Sequence, residues 1–232
     1  EFLLKATNDL RYFDFDSALK YSKLSTKLDD TLTKGWILYG RMELGHMNFF
    51  DAALAFSKVK EEKRFKLLYE LCIALEKQDK VDVRELVIKL KKLGENYIIP
   101  VLMGTFNKNS SLEEKILTIR AIYDHFHEHV RSPKPILNSE CTTLSFTEGS
   151  KWQLKDLNYF YNFPLEEVDI SKSPISDIRA LKSMPLKKLN LSKTQISSLS
   201  YLQGLKLEEL NIAYTRITDI RSLAEMPLKK LN

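Results

Sequence analysis

The C-terminal part of the chain repeats itself. Equal blocks beginning at Pro164, Pro185 and Lys206 align without a gap, and another opens with Pro-Leu-Lys-Lys-Leu-Asn at Pro227. Read down the aligned columns, Leu165, Leu186, Leu207 and Leu228 coincide, as do Val168, Leu189, Leu210 and Leu231, then Ile170, Leu191 and Ile212. The alternation of apolar and polar positions predicts a short strand with one buried face. Farther along each block come Ile175/Ile196/Ile217, Ile178/Leu199/Ile220, Leu181/Leu202/Leu223 and Met184/Leu205/Met226, spaced by three. That spacing suits 3₁₀-like backbone returning the chain to the next strand.

This pattern resembles the leucine-rich repeat family, in particular the short repeats of bacterial proteins. The resemblance implies a stack of units carrying a parallel β-sheet. One departure bears on the turn. The family has Asn or Cys at a position where this chain has Ser173, Thr194 and Thr215. A hydroxyl makes a smaller version of the same ladder, so the turn is expected to survive and to be tight.

A second, longer period runs through residues 1–95. Phe2 and Trp36, Ala6 and Gly40, and Ala18 and Ala52 are separated by the same interval, and the register continues from Gly40 to Ala74, Ala52 to Leu86 and Phe56 to Leu90. The middle copy opens Trp36-x-x-Tyr39-Gly40, places Ala52 and Phe56 in a second helix, and turns at residues 45–48. It resembles the tetratricopeptide repeat, which implies an all-α superhelix of paired antiparallel helices. Small Gly40 and Ala52 suit the point where two such helices cross. Glu43, Glu70, Asp30 and Arg64 stand where that family carries other residue types.

Residues 97–107 and 111–130 read as one more helical pair. Ser110-Ser111-Leu112-Glu113-Glu114 is a capping signal, and Ile116, Ile119, Ile122, Tyr123 and Phe126 form an apolar stripe. Pro133 and Pro135 break the helix, so the expected domains are 1–135, helical, and 136–232, leucine-rich. Leu144 and Phe146 then read as a first strand. The interval from Leu144 to Val168 is longer than that from Val168 to Leu189, so residues 136–163 form an irregular capping unit with extra residues at 148–152. It is rich in aromatics, among them Trp152, Tyr159, Phe160, Tyr161 and Phe163. The expected fold class is thus an α solenoid followed by a short α/β solenoid. The chain begins Glu-Phe-Leu and stops inside a block, which reads as a fragment of a longer protein with an uncapped C-terminal edge open to self-association.

Composition narrows function by exclusion. With 44% hydrophobic and 29% charged residues, and no apolar run of membrane-spanning length, the chain reads as globular and cytoplasmic, with no membrane partner. Net charge is +5, but Lys plus Arg exceed Asp plus Glu by 23 to 20 up to Pro135 and by 13 to 11 after it. So even a spread weighs against nucleic acid as the partner. Cys72 and Cys141 lack metal spacing and suit a reducing compartment. His125, His127 and His129 are the only clustered ligand types, and an exposed helical face explains them better than a metal site. No phosphate loop or nucleophile motif appears, so no catalysis, cofactor or metal is expected.

What remains is surface. Two columns, Glu166/Lys187/Glu208/Lys229 and Glu167/Lys188/Glu209/Lys230, alternate in sign at every unit. Self-complementarity between neighbouring units explains them better than ligand binding, at about 0–1 kcal/mol for each exposed pair. Asp177, Ser198 and Asp219 read as caps of the return segments. Asp169, Asn190 and Asn211, with Lys172, Lys193 and Tyr214, face outward and suit a protein partner. In the helical part, Lys34 and Arg41 lie on the helix that, by the tetratricopeptide resemblance, lines a peptide groove, where basic residues take carboxylates. The expected function is therefore a protein–protein interaction module, a scaffold binding proteins or peptides through repeat surfaces. Two other readings are a regulatory segment of a larger bacterial signalling enzyme, such as a Ser/Thr protein kinase, and a nucleic-acid-binding helical repeat.

Overall fold

A computed structural model describes residues 1–127, 135–137, 143–146 and 157–232. The expected linker at 131–134, the insertion at 148–152, and Cys141, Trp152 and His129 lie outside the described residues, as do the side chains of Tyr123, Phe126, His127 and Phe146. By packing, the chain divides into two compact units, Glu1–Phe106 and Asn107–Asn232. This division falls earlier than the two prolines, within a helix.

Among the described residues, eight helices come first: α1 (Phe2–Arg11), α2 (Phe15–Leu28), α3 (Thr33–Gly45), α4 (Phe49–Ser57), α5 (Lys63–Glu76), α6 (Val83–Lys92), α7 (Ile98–Asn109) and α8 (Leu112–His127). Consecutive helices from α1 to α5 pack side by side. Their repeat is written in the caps. Asp14, Asn48 and Asp82, evenly spaced along the chain, each accept a hydrogen bond from a backbone N–H one turn on, at Ser17, Asp51 and Glu85, over 3.2, 3.4 and 3.1 Å. These side chains satisfy amides that the first helical turn leaves open. Just before two of the caps, Phe13 and Met47 adopt left-handed backbone, at φ 57° and 61°. The next amides, of Asp14 and Asn48, reach back to the carbonyls of Asp9 and Glu43, both at 2.9 Å, so each turn both ends one helix and starts the next.

Small residues set the helix spacing. Ala6, Ala18 and Ala52 have no exposed surface. A Cβ on Gly40 would stand 2.9 Å from the ring of fully buried Phe56, and one on Gly45 would stand 2.6 Å from Val101 Cβ. Ser111 and Glu114 form the expected reciprocal cap of α8, each backbone amide donating to the other's side chain at 3.2 Å.

The second unit carries a six-stranded sheet in chain order: β1 (Pro135–Leu137), β2 (Thr143–Phe146), β3 (Glu167–Asp169), β4 (Lys188–Asn190), β5 (Glu209–Asn211) and β6 (Lys230–Leu231). From β2 to β6 every pairing is parallel. Leu144 lies beside Val168, Val168 beside Leu189, Leu189 beside Leu210, and Leu210 beside Leu231. The longer step from Leu144 to Val168, followed by equal steps, is therefore the spatial register. One strand was not expected from sequence. β1 pairs antiparallel with β2, beginning at Pro135. A proline, which lacks an N–H donor, is tolerated at the first position of an edge strand.

Between parallel strands the chain returns through 3₁₀ turns at Arg179–Ser183, Ser200–Leu202 and Arg221–Leu223. The apolar columns close over one another as far as Leu210, whereas farther on Ile220 and Leu231 stay 53% and 46% exposed. Leu165, Ile170, Ile175, Leu181, Leu191, Leu202 and Leu207 are all fully buried. The hydroxyl column behaves as its chemistry dictates: Thr194 and Thr215 donate to the carbonyls of Leu191 and Ile212 at 2.6 and 2.7 Å, and Ser173 accepts from the Ile175 amide.

Gly45→Ala is expected to destabilise the helical unit by about 1–3 kcal/mol, despite alanine's better helix propensity, because Val101 must shift to admit the methyl group. A thermal melt of the variant beside wild type checks the sign. Leu189→Asp leaves an unpaired carboxylate between Val168 and Leu210 and should abolish the cooperative transition of the second unit. An unchanged transition by calorimetry would sink the register given above.

Candidate functional site

β3, β4 and β5 each bury their central residue and leave the two beside it half-buried or exposed, so the outer face is built from columns that β6 continues. The first two are the charged ladders. Lys187 Nζ lies 2.8 Å from Glu166 Oε2, and Lys229 Nζ lies 2.7 Å from Glu208 Oε2. Lys188 sits between two acids, 2.9 Å from Glu167 and 3.8 Å from Glu209. The hydrogen bonds that they donate to Glu166 and Glu167 hold the Lys187 and Lys188 amines above their ordinary values, and Lys229 holds the Glu208 carboxyl below its own. With rungs about 4.8 Å apart, the stripe repeat is about 9.6 Å and its field falls e-fold within about 1.5 Å of the surface. A face striped in this way attracts no polyanion from a distance. It discriminates only among groups already in contact with it.

The third column is Asp169, Asn190, Asn211 and Asn232. Its first three members were expected to face a partner, and each also does local work. The Oδ1 atoms of Asp169, Asn190 and Asn211 accept from the amides of Ser171, Ser192 and Ala213 at 2.9, 3.1 and 3.1 Å, closing the turn that ends each strand. Asn190 Nδ2 donates to Asp169 Oδ2 at 3.0 Å. Turn closure thus uses the Oδ1 atoms, and Asp169, Asn190, Asn211 and Asn232 line an open groove of about 260 Å³. Thr143, Glu167, Lys188, Glu209 and Lys230 line it as well. Thr143 was not singled out from sequence, and Glu167, Lys188, Glu209 and Lys230 were read there only as a charge ladder, since a column shows which residues align but not which depression they share.

The fourth column, Lys172, Lys193 and Tyr214, occupies left-handed backbone at φ 58°, 59° and 59°. Non-glycine residues hold that conformation where the surroundings dictate it. Here the Lys172 and Lys193 amides donate to Ser192 and Ala213 of the next unit, both at 2.9 Å. The side chains are thereby thrown outward. Tyr214 is 83% exposed, and Lys193 Nζ lies 5.5 Å from its ring centre, a cation–π contact. Of the six expected residues of this unit, Asp169, Asn190 and Asn211 line the groove, while Lys172, Lys193 and Tyr214 form a separate outward column.

Behind the face, Asp177 and Asp219 cap the return turns through the amides of Arg179 and Arg221, and clasp the same residues' guanidinium groups at 2.6 Å. Burial pushes the Asp177 carboxyl up, but Arg179 outweighs it and leaves it below the ordinary value. Arg221 lowers Asp219 to about 2. Ser198 does the same capping without charge.

In the first unit, Lys34 lies exposed on the first turn of α3, and Arg41 stands two turns later. Arg41 holds a carboxylate, but one from its own chain. Its Nε and Nη2 donate to Glu95 at 2.7 and 2.9 Å, and Arg64 reaches the same group at 2.7 Å. Glu95 has no exposed side-chain surface. No local pattern links it to Arg41, far back along the chain, so sequence reasoning missed the pair. Burial raises the Tyr39 hydroxyl well above its usual range, aided by Glu43 and Asp51, and brings the Cys72 thiol up to about 12. Among the described residues no three His, Cys, Asp or Glu side chains gather as a metal site, and no helix is long and apolar enough to cross a membrane.

Both capping carboxylates titrate lower in the folded chain than their ordinary value of 3.8. Their stabilisation is therefore complete above that value and disappears as pH falls through the lowered one, near 2 for Asp219. Asp177→Asn/Asp219→Asn should flatten the stability curve of the second unit in this acid window and leave its slope near neutrality unchanged, as followed by acid titration of circular dichroism. Removing the buried Glu95 carboxylate by Glu95→Leu takes the charged partner from two part-exposed guanidinium groups and should cost about 1–3 kcal/mol in a denaturant melt. No family model, curated protein or solved structure matches the chain.

Proposed function

We propose that the chain is a protein-interaction module: a tetratricopeptide-like helical array followed by a short leucine-rich stack, binding a protein or peptide without catalysis. The observation that carries this reading is the outer face of β3 to β6. There, side chains held by ladder pairs and turn closure line an open groove, and the same unit carries an exposed tyrosine, Tyr214. Asn and Tyr adapt to a partner's surface at low entropic cost, and a preordered face lowers the cost of binding. The short reach of the striped field favours a protein partner over nucleic acid. On the helical side, Lys34 and the Arg41–Glu95–Arg64 cluster support a role for α3 in peptide recognition only where the ligand competes with, or adds to, Glu95. Buried, free Cys72 suits a reducing, cytoplasmic setting.

The test compares two surface variants of the full chain in affinity capture from a bacterial lysate. Lys188→Ala/Tyr214→Ala should reduce the proteins retained by wild type by about tenfold or more, with an unchanged melt, as expected when a central contact and an aromatic anchor are lost. Lys34→Ala reports on the helical surface. Retention unchanged in both variants would overturn the reading.

A further inference from the structure

The exposed face of β3 to β6 has a property that neither ladder shows alone. Its rungs alternate in character: the rung of β3 carries Glu166 and Glu167, that of β4 Lys187 and Lys188, that of β5 Glu208 and Glu209, and that of β6 Lys229 and Lys230. Two such faces can meet about a two-fold axis that lies between them and runs parallel to the strands. The operation reverses the order of rungs and keeps the strand direction. It sets β3 opposite β6 of the second copy, and β4 opposite β5.

Every exposed column is then complementary to itself. Lys187 and Lys188 face Glu208 and Glu209 of the second copy, and the two glutamates of β3 face the two lysines of β6. Asn190 faces Asn211, an amide against an amide, each able to donate and accept. Lys193 faces Tyr214 of the second copy, repeating between molecules the cation–π contact that the two residues make within one, at 5.5 Å. A two-fold axis perpendicular to the strands would instead set lysine on lysine and glutamate on glutamate. The charge order therefore selects one of the two face-to-face arrangements.

We infer that this face docks a second copy of the chain, isologously, with β4 against β5. The inference rests on the reading of the strand face as an interaction surface and names its occupant. An isologous contact needs a self-complementary patch, and neighbouring rungs of opposite sign supply one. Few residues take part, so the contact belongs with small, transient interfaces and not with obligate dimers. Charge pairs in such a contact contribute specificity more than affinity, and salt screens them.

Sedimentation of the purified full chain over a wide concentration range tests the inference. Wild type should associate reversibly to a dimer that weakens as salt is raised. Lys187→Glu/Lys188→Glu sets acid against acid, and Glu208→Lys/Glu209→Lys sets base against base. Each variant alone should dimerise at least about tenfold more weakly than wild type. Mixed in equal amounts they should recover a heterodimer, because the altered β4 of one matches the altered β5 of the other. Misfolding of either variant cannot be rescued by mixing, so recovery reports the interface and not stability. A wild-type chain that stays monomeric at every concentration, association that both variants leave unchanged, or a mixture that fails to recover, each overturns the inference. If the chain stays monomeric while the groove variant above still loses its captured proteins, the strand face binds other proteins and only self-docking is wrong.

Discussion

No rung of the second unit can hide its own leucines. Each strand from β3 onward is very short, and its backbone hydrogen bonds run outward to the rung on either side. The carbonyls of Glu166, Lys187 and Glu208 each accept two amides from the next rung, at 2.7–3.1 Å. That fork holds neighbouring units at one spacing. Everything else on this side of the molecule depends on it: the leucine columns close only if the spacing repeats, and the ladders pair only if the columns are straight.

The helical unit solves the same problem by different means. Its register comes from turns that end one helix and cap the next, with left-handed Phe13 and Met47 leading into Asp14 and Asn48. Among its buried polar side chains is Glu95, whose carboxylate is held by two arginines. A buried ion pair of this kind adds little net stability over a well-packed apolar trio. What it does impose is a location, since the turn after α6 must lie where Arg41 and Arg64 can both reach it. Gly94, left-handed at φ 73°, gives the chain the bend that aims Glu95 inward.

Much of the second unit was legible because its period is short and its columns are chemically uniform. Leu144 could be placed beside Val168 despite the break in period, because an apolar alternation survives an insertion. The candidate site was legible only in part. Asp169, Asn190 and Asn211 were correctly assigned to the outer face, yet a column of side chains does not say which atoms remain for a partner. The structure commits one oxygen of each to turn closure and pairs the Asn190 amide with Asp169. Arg41 shows a different limit: it was read as a place for a ligand's carboxylate, and in the folded chain it holds Glu95, from a loop distant in the chain.

The sequence by itself determined what nearest neighbours decide. Periodicity assigned the buried columns, hydroxyls the tight turns, Asp177 and Asp219 the return caps, and small residues the helix crossings, because each depends on local backbone geometry or on a partner at a constant separation. Tertiary structure alone decided the rest. It paired Pro135–Leu137 with β2 as an edge strand, closed Glu95 between two arginines, and turned straight columns into a groove. Those outcomes join residues at separations that no period encodes, and only the folded chain brings them within the reach of a hydrogen bond.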